Sequence, residues 1–376
     1  MELVMVVPSA RREGGGDVWL AGLLRHLPEL GISPVVVFER YGELADMASG
    51  YGCRPVVIAD VGGDQVVATL ADLLRARRPD VTVFWSPRAQ VYGSQAHRAA
   101  GGPGRTAWVQ HVMPSSFWLH RQASALPTDL VFCVSSAVER RQRELYPQNS
   151  TRVLHPGTDR RDAISREEAR SRLGSTASVP LVGVVGRIEP WKGQDVALRI
   201  LAELVTRRLD VHLVLLGEQR SPTWPEFGEE VAALCCGLGL GERVVFAGHV
   251  RDVPEVLLAL DVLVCSSREE GFGLAAVEAM AAGVPVVSTR CGGPEEVVEH
   301  GGTGLLVPVE DPHRLADAVE RLLSDGCFAA RIANHAREVW RARFTARRSA
   351  EDFLAAVTGV LEPLDPGLGG HLPAVP

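Results

Sequence analysis

The chain has 376 residues, 46% hydrophobic and 23% charged, a globular balance that excludes a wholly disordered or collagen-like polymer. At roughly 150 residues per domain, the length predicts two or three domains. With 39 basic against 46 acidic residues the net charge is −7, which argues against nucleic acid as the main partner.

Seven cysteines (Cys53, Cys133, Cys235, Cys236, Cys265, Cys291 and Cys327) show no CxxC spacing, and most lie in apolar runs. They read as small buried hydrophobes in a reduced, cytoplasmic protein. The opening MELVMVV has Glu2 where a signal peptide needs positive charge. No apolar run reaches the roughly 18 residues of a transmembrane helix. Among the basic residues only Lys192 is a lysine, so position 192 stands out before its neighbours are considered.

Short apolar runs alternate with helical stretches from the start. Strands are predicted over 3–7, 34–38, 55–58, 81–85, 106–110 and 130–134, with a first amphipathic helix over 17–30. That rhythm is βαβ and implies a parallel sheet covered on both faces. The turn cluster HPGTD (155–159) and a charged helical stretch over 160–174 interrupt it. A second series follows, with strands over 181–185, 211–216, 244–246, 262–265, 286–288 and 305–307. Helices over 312–324, 328–344 and 346–361 close the pattern, and the Pro/Gly-rich stretch 362–376 reads as a flexible tail.

The expected class is therefore α/β, with two Rossmann-like doubly wound domains facing each other across a cleft. The boundaries fall at 1–158 and 159–344, and helix 345–361 is expected to pack back on the first domain. In such sheets ligands bind beyond the carboxyl ends of the strands.

Several motifs are absent. The turn after the first strand carries Gly14, Gly15 and Gly16 but no GxGxxG, and GxxxxGK[ST], HExxH, GxSxG and any Asp-x-Asp pair are missing. Without Asp-x-Asp the usual carboxylate clamp for a divalent metal on a diphosphate is lacking. A diphosphate would then be neutralised by backbone amides and basic side chains.

Two segments supply such groups. In SSREEGFGLAAVEAMAAGVPVVS (266–288) a strand ends, a loop carries Glu269 and Glu270, and a helix is expected to begin near Phe272. Gly271 and Gly273 allow close backbone approach, and the helix N-terminus suits an anionic phosphate. Glu278 stands on the second turn among Ala275, Ala276, Val277, Ala279 and Met280. A carboxylate in so apolar a helix is expected to be paired or to accept hydrogen bonds from paired hydroxyls. In GRIEPWKG (186–193), directly after a strand, Arg187 and Lys192 flank a strand-to-helix turn. A guanidinium fork and an ammonium together could stabilise a departing diphosphate.

With these segments, CGGPEEVVEHGGTGLLVP (291–308) and HPGTD, the chain resembles a retaining glycosyltransferase of family 4, of the two-domain architecture called GT-B. The resemblance implies an N-terminal acceptor-binding domain and a C-terminal nucleotide-sugar-binding domain. It implies that Arg187, Lys192, Gly273, Leu274 and the glycines 14–16 bind the donor diphosphate, the glycines as a loop that closes over it. Glu278 would hold the ribose hydroxyls, and Glu270, Gly271, Phe272 and Gly273 the transferred sugar. Val250, in FAGHV, would meet the base. His111 would face the reacting carbon, so that His111 and Glu270 form the catalytic pair. Two departures stand out: His155 replaces the usual asparagine of the hinge-side turn, and Ala346 stands where tryptophan is frequent.

The implied reaction moves a hexose from a UDP- or GDP-sugar to a hydroxyl of a small-molecule or glycan acceptor, giving an α-glycoside without metal or other cofactor. A nucleotide-sugar epimerase and a catalytically silent sugar-nucleotide-binding protein are the competing readings. The segment 113–121, aromatic and basic, reads equally as a sugar-stacking wall, a peripheral membrane contact or plain packing. With no Lys/Arg-rich amphipathic helix evident, a soluble acceptor is favoured over a lipid-linked one. Oligomeric state is left open.

Overall fold

The structure is a computed structural model that describes residues 1–11, 14–58, 63–160, 164–175, 179–218 and 223–361. The expected tail 362–376 lies outside these. The chain divides into two compact units, Met1–Gly157 with Ala346–Pro376, and Thr158–Thr345.

The N-terminal unit is built on seven strands: β1 Leu3–Val7, β2 Val35–Phe38, β3 Arg54–Val57, β4 Val81–Phe84, β5 Arg105–Gln110, β6 Leu130–Cys133 and β7 Thr151–Val153. They lie in the order β3-β2-β1-β4-β5-β6-β7, every pairing parallel. The central strands β1, β2 and β4 are buried along their whole length. That burial on both faces is why they read as unbroken apolar runs rather than alternating ones. Only β7 was not anticipated; its Thr151-Arg-Val153 is half-buried at the sheet edge and carries no apolar run.

The second unit holds β8 Leu181–Val185, β9 His212–Leu216, β10 Val244–Gly248, β11 Val262–Cys265, β12 Val286–Thr289 and β13 Leu305–Val307. Their order is β10-β9-β8-β11-β12-β13, again parallel throughout. Its core joins Val182, Val184, Leu213 and Leu215 of the sheet to Ile200, Leu201 and Leu204 of the helix Gln194–Thr206, and to Leu315 and Val319 of the helix Pro312–Ser324. Both units are thus doubly wound α/β layers, the class expected. In each the strand order reverses once, between β1 and β4 and between β8 and β11. Such a reversal opens a crevice at the carboxyl edge of the sheet.

Helix ends differ from the sequence reading for local reasons. The first helix runs Gly15–His26 and a 3-10 turn follows at Pro28–Leu30, because proline cannot continue the backbone ladder. The helix expected from Phe272 starts at Leu274, after Gly273 in a left-handed conformation with φ 94°. Of the helical stretch expected over 160–174, Arg166–Arg172 is helical, while 161–163 lie outside the described residues.

The last helix, Ala346–Gly359, belongs to the N-terminal unit and packs on Gly15–His26. A Cβ placed on Gly22 would come within 3.0 Å of the Ala346 Cβ. Two small residues let the helix axes approach, which is the physical counterpart of alanine standing where a tryptophan is frequent. Ser349 on this helix accepts from Trp19 Nε1 at 2.8 Å and donates to the His155 carbonyl at 2.8 Å. His155 thus enters this contact through its backbone.

Candidate active site

At the β8/β11 reversal, the turn after β8 and the loop after β11 are interlocked. The turn forms a 3-10 helix, Pro190–Lys192, closed by Gly193 at φ 67°. A Cβ on Gly193 would lie 2.1 Å from the Ser266 carbonyl, so only glycine fits there. Ser266 Oγ donates to the Gly193 carbonyl at 2.7 Å, and the Arg268 amide donates to the Trp191 carbonyl at 2.7 Å. The Arg268 guanidinium grips Asp195 through two bonds of 2.9 and 2.7 Å and also meets Glu310. This bidentate fork ties the two loops together.

The outcome is a direct ion pair between Lys192 Nζ and the Glu270 carboxylate, each about three-quarters covered. Burial by itself works to lower the lysine pKa. The Glu270 charge and hydrogen bond more than offset that and hold the ammonium above its usual value. Cys265 and Cys291 lie close enough to feel the pair. Burial, with the Glu270 charge added, pushes each thiol up to about 12, so both stay neutral. The Lys192 stem passes over Gly186, where an added Cβ would meet it at 3.3 Å. Arg187 is half exposed and reaches the buried Glu189 at 3.4 Å.

Beyond Glu270 the backbone folds onto the loop at 291–293. The Glu270 amide donates to the Cys291 carbonyl at 3.1 Å, and the Gly293 amide to the Glu270 carbonyl at 2.9 Å. Gly271 follows, and Phe272 turns its side chain into the core edge-on to Phe344, 5.9 Å between centroids. Gly273 then caps the helix Leu274–Ala282, whose first amides have no acceptor within the helix. Glu278 sits on the second turn, 6% exposed, among Ala276, Val277, Ala279 and Met280. Val250 is half-buried two residues past β10, on the same carboxyl edge.

The N-terminal unit repeats the logic with different chemistry. Gly14 caps the first helix, and Gly15 and Gly16 form its first turn. The expectation of a free glycine loop is thereby corrected, since two of the three glycines are helical. The Gly14 amide is taken by Asp17 Oδ2 at 3.1 Å. Trp85, just after β4 at the β1/β4 reversal, donates its indole N–H to the Gly16 carbonyl at 3.2 Å. His111, just after β5, donates from Nε2 to the Trp85 carbonyl at 2.9 Å. A carbonyl can only accept, so Nε2 carries the proton and Nδ1 the lone pair. Nδ1 points to where a Cβ on Gly16 would sit, 3.3 Å away. Trp19 and Trp85 enclose the ring at centroid distances of 5.7 and 5.2 Å. Burial pushes its pKa down to about 4, with the Trp85 carbonyl opposing.

Thus Lys192, Glu270, Arg187, the amides near Gly273 and Leu274, and Glu278 share one edge of the second sheet, and Gly16 meets His111 in the first unit. Trp19, Trp85, Arg268 and Ser266 were missed. Trp85 could have been found from its position, the residue directly after the strand at the order reversal. Among the described residues, no group of three or more His, Cys, Asp or Glu side chains is arranged to hold a metal.

Comparison with known proteins gives this geometry a family. Residues 179–325 match the family model Glycosyl transferases group 1. The lipopolysaccharide core biosynthesis glycosyltransferase LpsE of Rhizobium meliloti is 27% identical over 354 residues, 91% of this chain and 95% of LpsE. The D-inositol 3-phosphate glycosyltransferase of Acidothermus cellulolyticus is 36% identical over 195 residues, 50% of this chain but 42% of that enzyme. The chain therefore spans less than half of that second relative. Among solved structures, Anabaena HepE in complex with UDP and glucose superposes with a TM-score of 0.83 at 24% identity, covering 95% of this chain and 99% of HepE. WaaG, a glycosyltransferase involved in lipopolysaccharide biosynthesis, gives 0.74 at 18% identity, covering 95% and 100%. These likenesses establish the GT-B fold. The chain is a glycosyltransferase whose residues 179–325 form a group 1 glycosyl transferase domain.

Proposed function

We propose that the chain transfers a hexose from a UDP- or GDP-sugar to a hydroxyl acceptor with retention, without a divalent cation. The observation that carries this reading is the coupled Lys192–Glu270 pair, set beside a helix N-terminus and the buried Glu278 at the strand-order reversal. The ammonium has three protons and Glu270 uses one, so the others are available to diphosphate oxygens. Arg187 and the amides of Gly273 and Leu274 add positive potential that strengthens as the leaving group gains charge. Glu278 accepts from the ribose hydroxyls. Glu270 orders the transferred sugar while orienting Lys192.

In the step proposed, the acceptor oxygen bonds to the anomeric carbon on the face from which the diphosphate departs. The carbon–oxygen bond to phosphate breaks, and the acceptor proton passes to the departing phosphate oxygen. No side-chain base is consumed, and an α-linked donor gives an α-glycoside. The neutral His111 offers Nδ1 as an acceptor for a hydroxyl. HepE, with UDP and glucose, and LpsE, named for lipopolysaccharide core biosynthesis, favour a UDP-hexose and a glycan acceptor.

The test is a donor panel with candidate acceptors, reading nucleotide release and the anomeric configuration of the product by NMR. Retention that persists in EDTA supports the reading. An inverted product, or transfer abolished by EDTA and restored by magnesium, overturns it.

A further inference from the structure

The Arg268 guanidinium is where the turns after β8, β11 and β13 meet. Its Nη1 donates to the Pro190 carbonyl at 2.5 Å and to Asp195 Oδ1 at 2.9 Å. Its Nη2 donates to Asp195 Oδ2 at 2.7 Å, and its Nε faces the Glu310 carboxylate. Every guanidinium nitrogen therefore has a protein partner. A phosphate would have to displace one of them, so Arg268 is a support and not a donor-binding cation.

The partners are placed to act on the site. Arg268 precedes Glu270 on one loop, and Asp195 follows Lys192 in the first turn of the helix Gln194–Thr206. The short stretch between Lys192 and Asp195 includes Gly193, left-handed and pressed against the Ser266 carbonyl. Fixing Arg268 on Asp195 thus fixes the two backbone segments from which Lys192 and Glu270 reach each other.

Glu310 is strained into this contact. Its φ is 58°, in the left-handed region that favours glycine. Arg78 and Arg208 also have positive φ, but they follow the helices Gly63–Arg77 and Gln194–Thr206, where a left-handed residue is a common closure. Glu310 lies in a turn between β13 and the helix Pro312–Ser324 and closes no helix. A glutamate bears the strain there, and its carboxylate meets Arg268. Strained residues of this kind collect at sites whose surroundings over-determine them.

We propose that Arg268, held by Asp195 and Glu310, is a positioning residue of the transfer reaction: it sets the separation of Lys192 and Glu270. The role rests on Lys192 and Glu270 being the pair that holds the donor. A displacement of about 1 Å at such a pair is enough to cost about a hundredfold in rate. Loosening the clamp takes the ammonium away from its carboxylate while leaving it covered. Burial lowers the lysine pKa and Glu270 raises it, so the pKa falls when the pair opens. The other titratable groups that face the ammonium, Cys265 and Cys291, stay neutral, and Arg187 of the same turn is directed to Glu189.

Lys192 is the sole lysine of the chain, so lysine isotopically labelled at Cε gives a single NMR resonance. Its titration reports the ammonium without donor or acceptor, and Arg268→Gln and Glu310→Gly both preserve that uniqueness. The wild-type midpoint should lie above the usual lysine value. In Arg268→Gln it should fall by about one pH unit or more, and in Glu310→Gly by less. With the donor and acceptor that the panel selects, kcat should fall about tenfold to a hundredfold in Arg268→Gln and about threefold to tenfold in Glu310→Gly, the donor KM staying within about threefold. Glycine suits the left-handed backbone, so Glu310→Gly should melt at or above the wild-type temperature although it turns over more slowly. A merely structural ion pair would move stability and leave the lysine titration and kcat in place. An unshifted lysine midpoint in both variants, wild-type kcat in Glu310→Gly, or a loss in Arg268→Gln that disappears at temperatures where the variant is fully folded would each overturn the proposal. Because the titration needs no nucleotide sugar, the clamp and the transfer reading fail separately.

Discussion

The two units solve the same positional problem with opposite electrostatics. Each places its polar groups where the strand order reverses. In the second unit the reversal holds an ammonium, a carboxylate and a helix N-terminus, a set of charges stabilised by one another. In the first unit the reversal holds an imidazole between two tryptophans, kept neutral by burial. Charge fixed in advance suits a group that gains charge as it leaves. A neutral acceptor suits a hydroxyl, whose hydrogen bonds need no counter-ion. The contrast predicts that perturbing the second unit alters rates and that perturbing the first alters pH dependence and stability.

The largest effect is expected at Lys192. Lys192→Ala removes the ammonium and leaves Glu270 without its partner, so kcat should fall by about a hundredfold to a thousandfold. Lys192→Arg should recover only part of this, because a planar fork cannot occupy the space over Gly186 as a point charge does. Steady-state kinetics with one donor and saturating acceptor checks both. A Lys192→Ala enzyme within threefold of wild type would break the comparison at its stronger end.

The His111 nest makes a linkage prediction next. Its pKa is pushed down to about 4 in the fold, against the unfolded value of 6.5. Between these values the unfolded chain binds a proton that the folded chain does not. The stability that His111 contributes is therefore complete above about pH 6.5 and is lost as pH falls towards 4. The full difference is on the order of 3 kcal/mol. Urea unfolding at pH 7 and at about pH 4.5 should show a smaller loss for His111→Gln than for wild type. Equal losses would mean that the ring is hydrated and the nest is open.

The unequal legibility of the two sites follows from how each is assembled. Lys192 and Glu270 lie in segments whose glycines and charges are themselves the signal, and the family model falls wholly inside that unit. The fold class was equally open to view, because buried parallel strands must be apolar runs. The support of His111 was not. Trp19 comes from the first helix and Trp85 from the end of β4. Phe353, which packs 6.3 Å from Trp85 and 6.2 Å from Phe132, comes from the last helix. Apolar residues that distant carry no spacing that links them, and only tertiary packing brings them to one ring. The two extra helical residues, Gly15 and Gly16, escaped for a related reason, since glycine runs read as loops until a bond such as that from the Gly14 amide to Asp17 is seen.

The close contact between Gly22 and Ala346 makes that packing testable. Ala346→Trp forces an indole into a space so narrow that a Cβ on Gly22 would already stand 3.0 Å from the Ala346 methyl. Overpacking of this kind costs about 1–3 kcal/mol. The melting temperature should fall, while kcat at moderate temperature changes less than in Lys192→Ala. If instead the variant melts with wild type, the last helix can slide without cost and the nest is not anchored by it.

The smallest expected effect concerns Glu278, and it separates a binding role from a packing one. A buried carboxylate surrounded by alanines and Met280 can be retained either to accept hydrogen bonds from two adjacent hydroxyls or to satisfy groups of its own unit. If it reads a ribose, removing the 2′-hydroxyl of the donor strands one carboxylate lone pair in a dry site. The matched 2′-deoxy donor should then lose about tenfold in kcat/KM. Glu278→Gln presents one acceptor and one donor in nearly the same shape, so the loss should appear with the ribose donor and the discrimination should shrink towards unity. A structural Glu278 behaves otherwise: the variant is less stable, yet it keeps the wild-type ratio between the two donors. The ratio decides between the roles even if both enzymes are slow, because it compares two donors on the same protein.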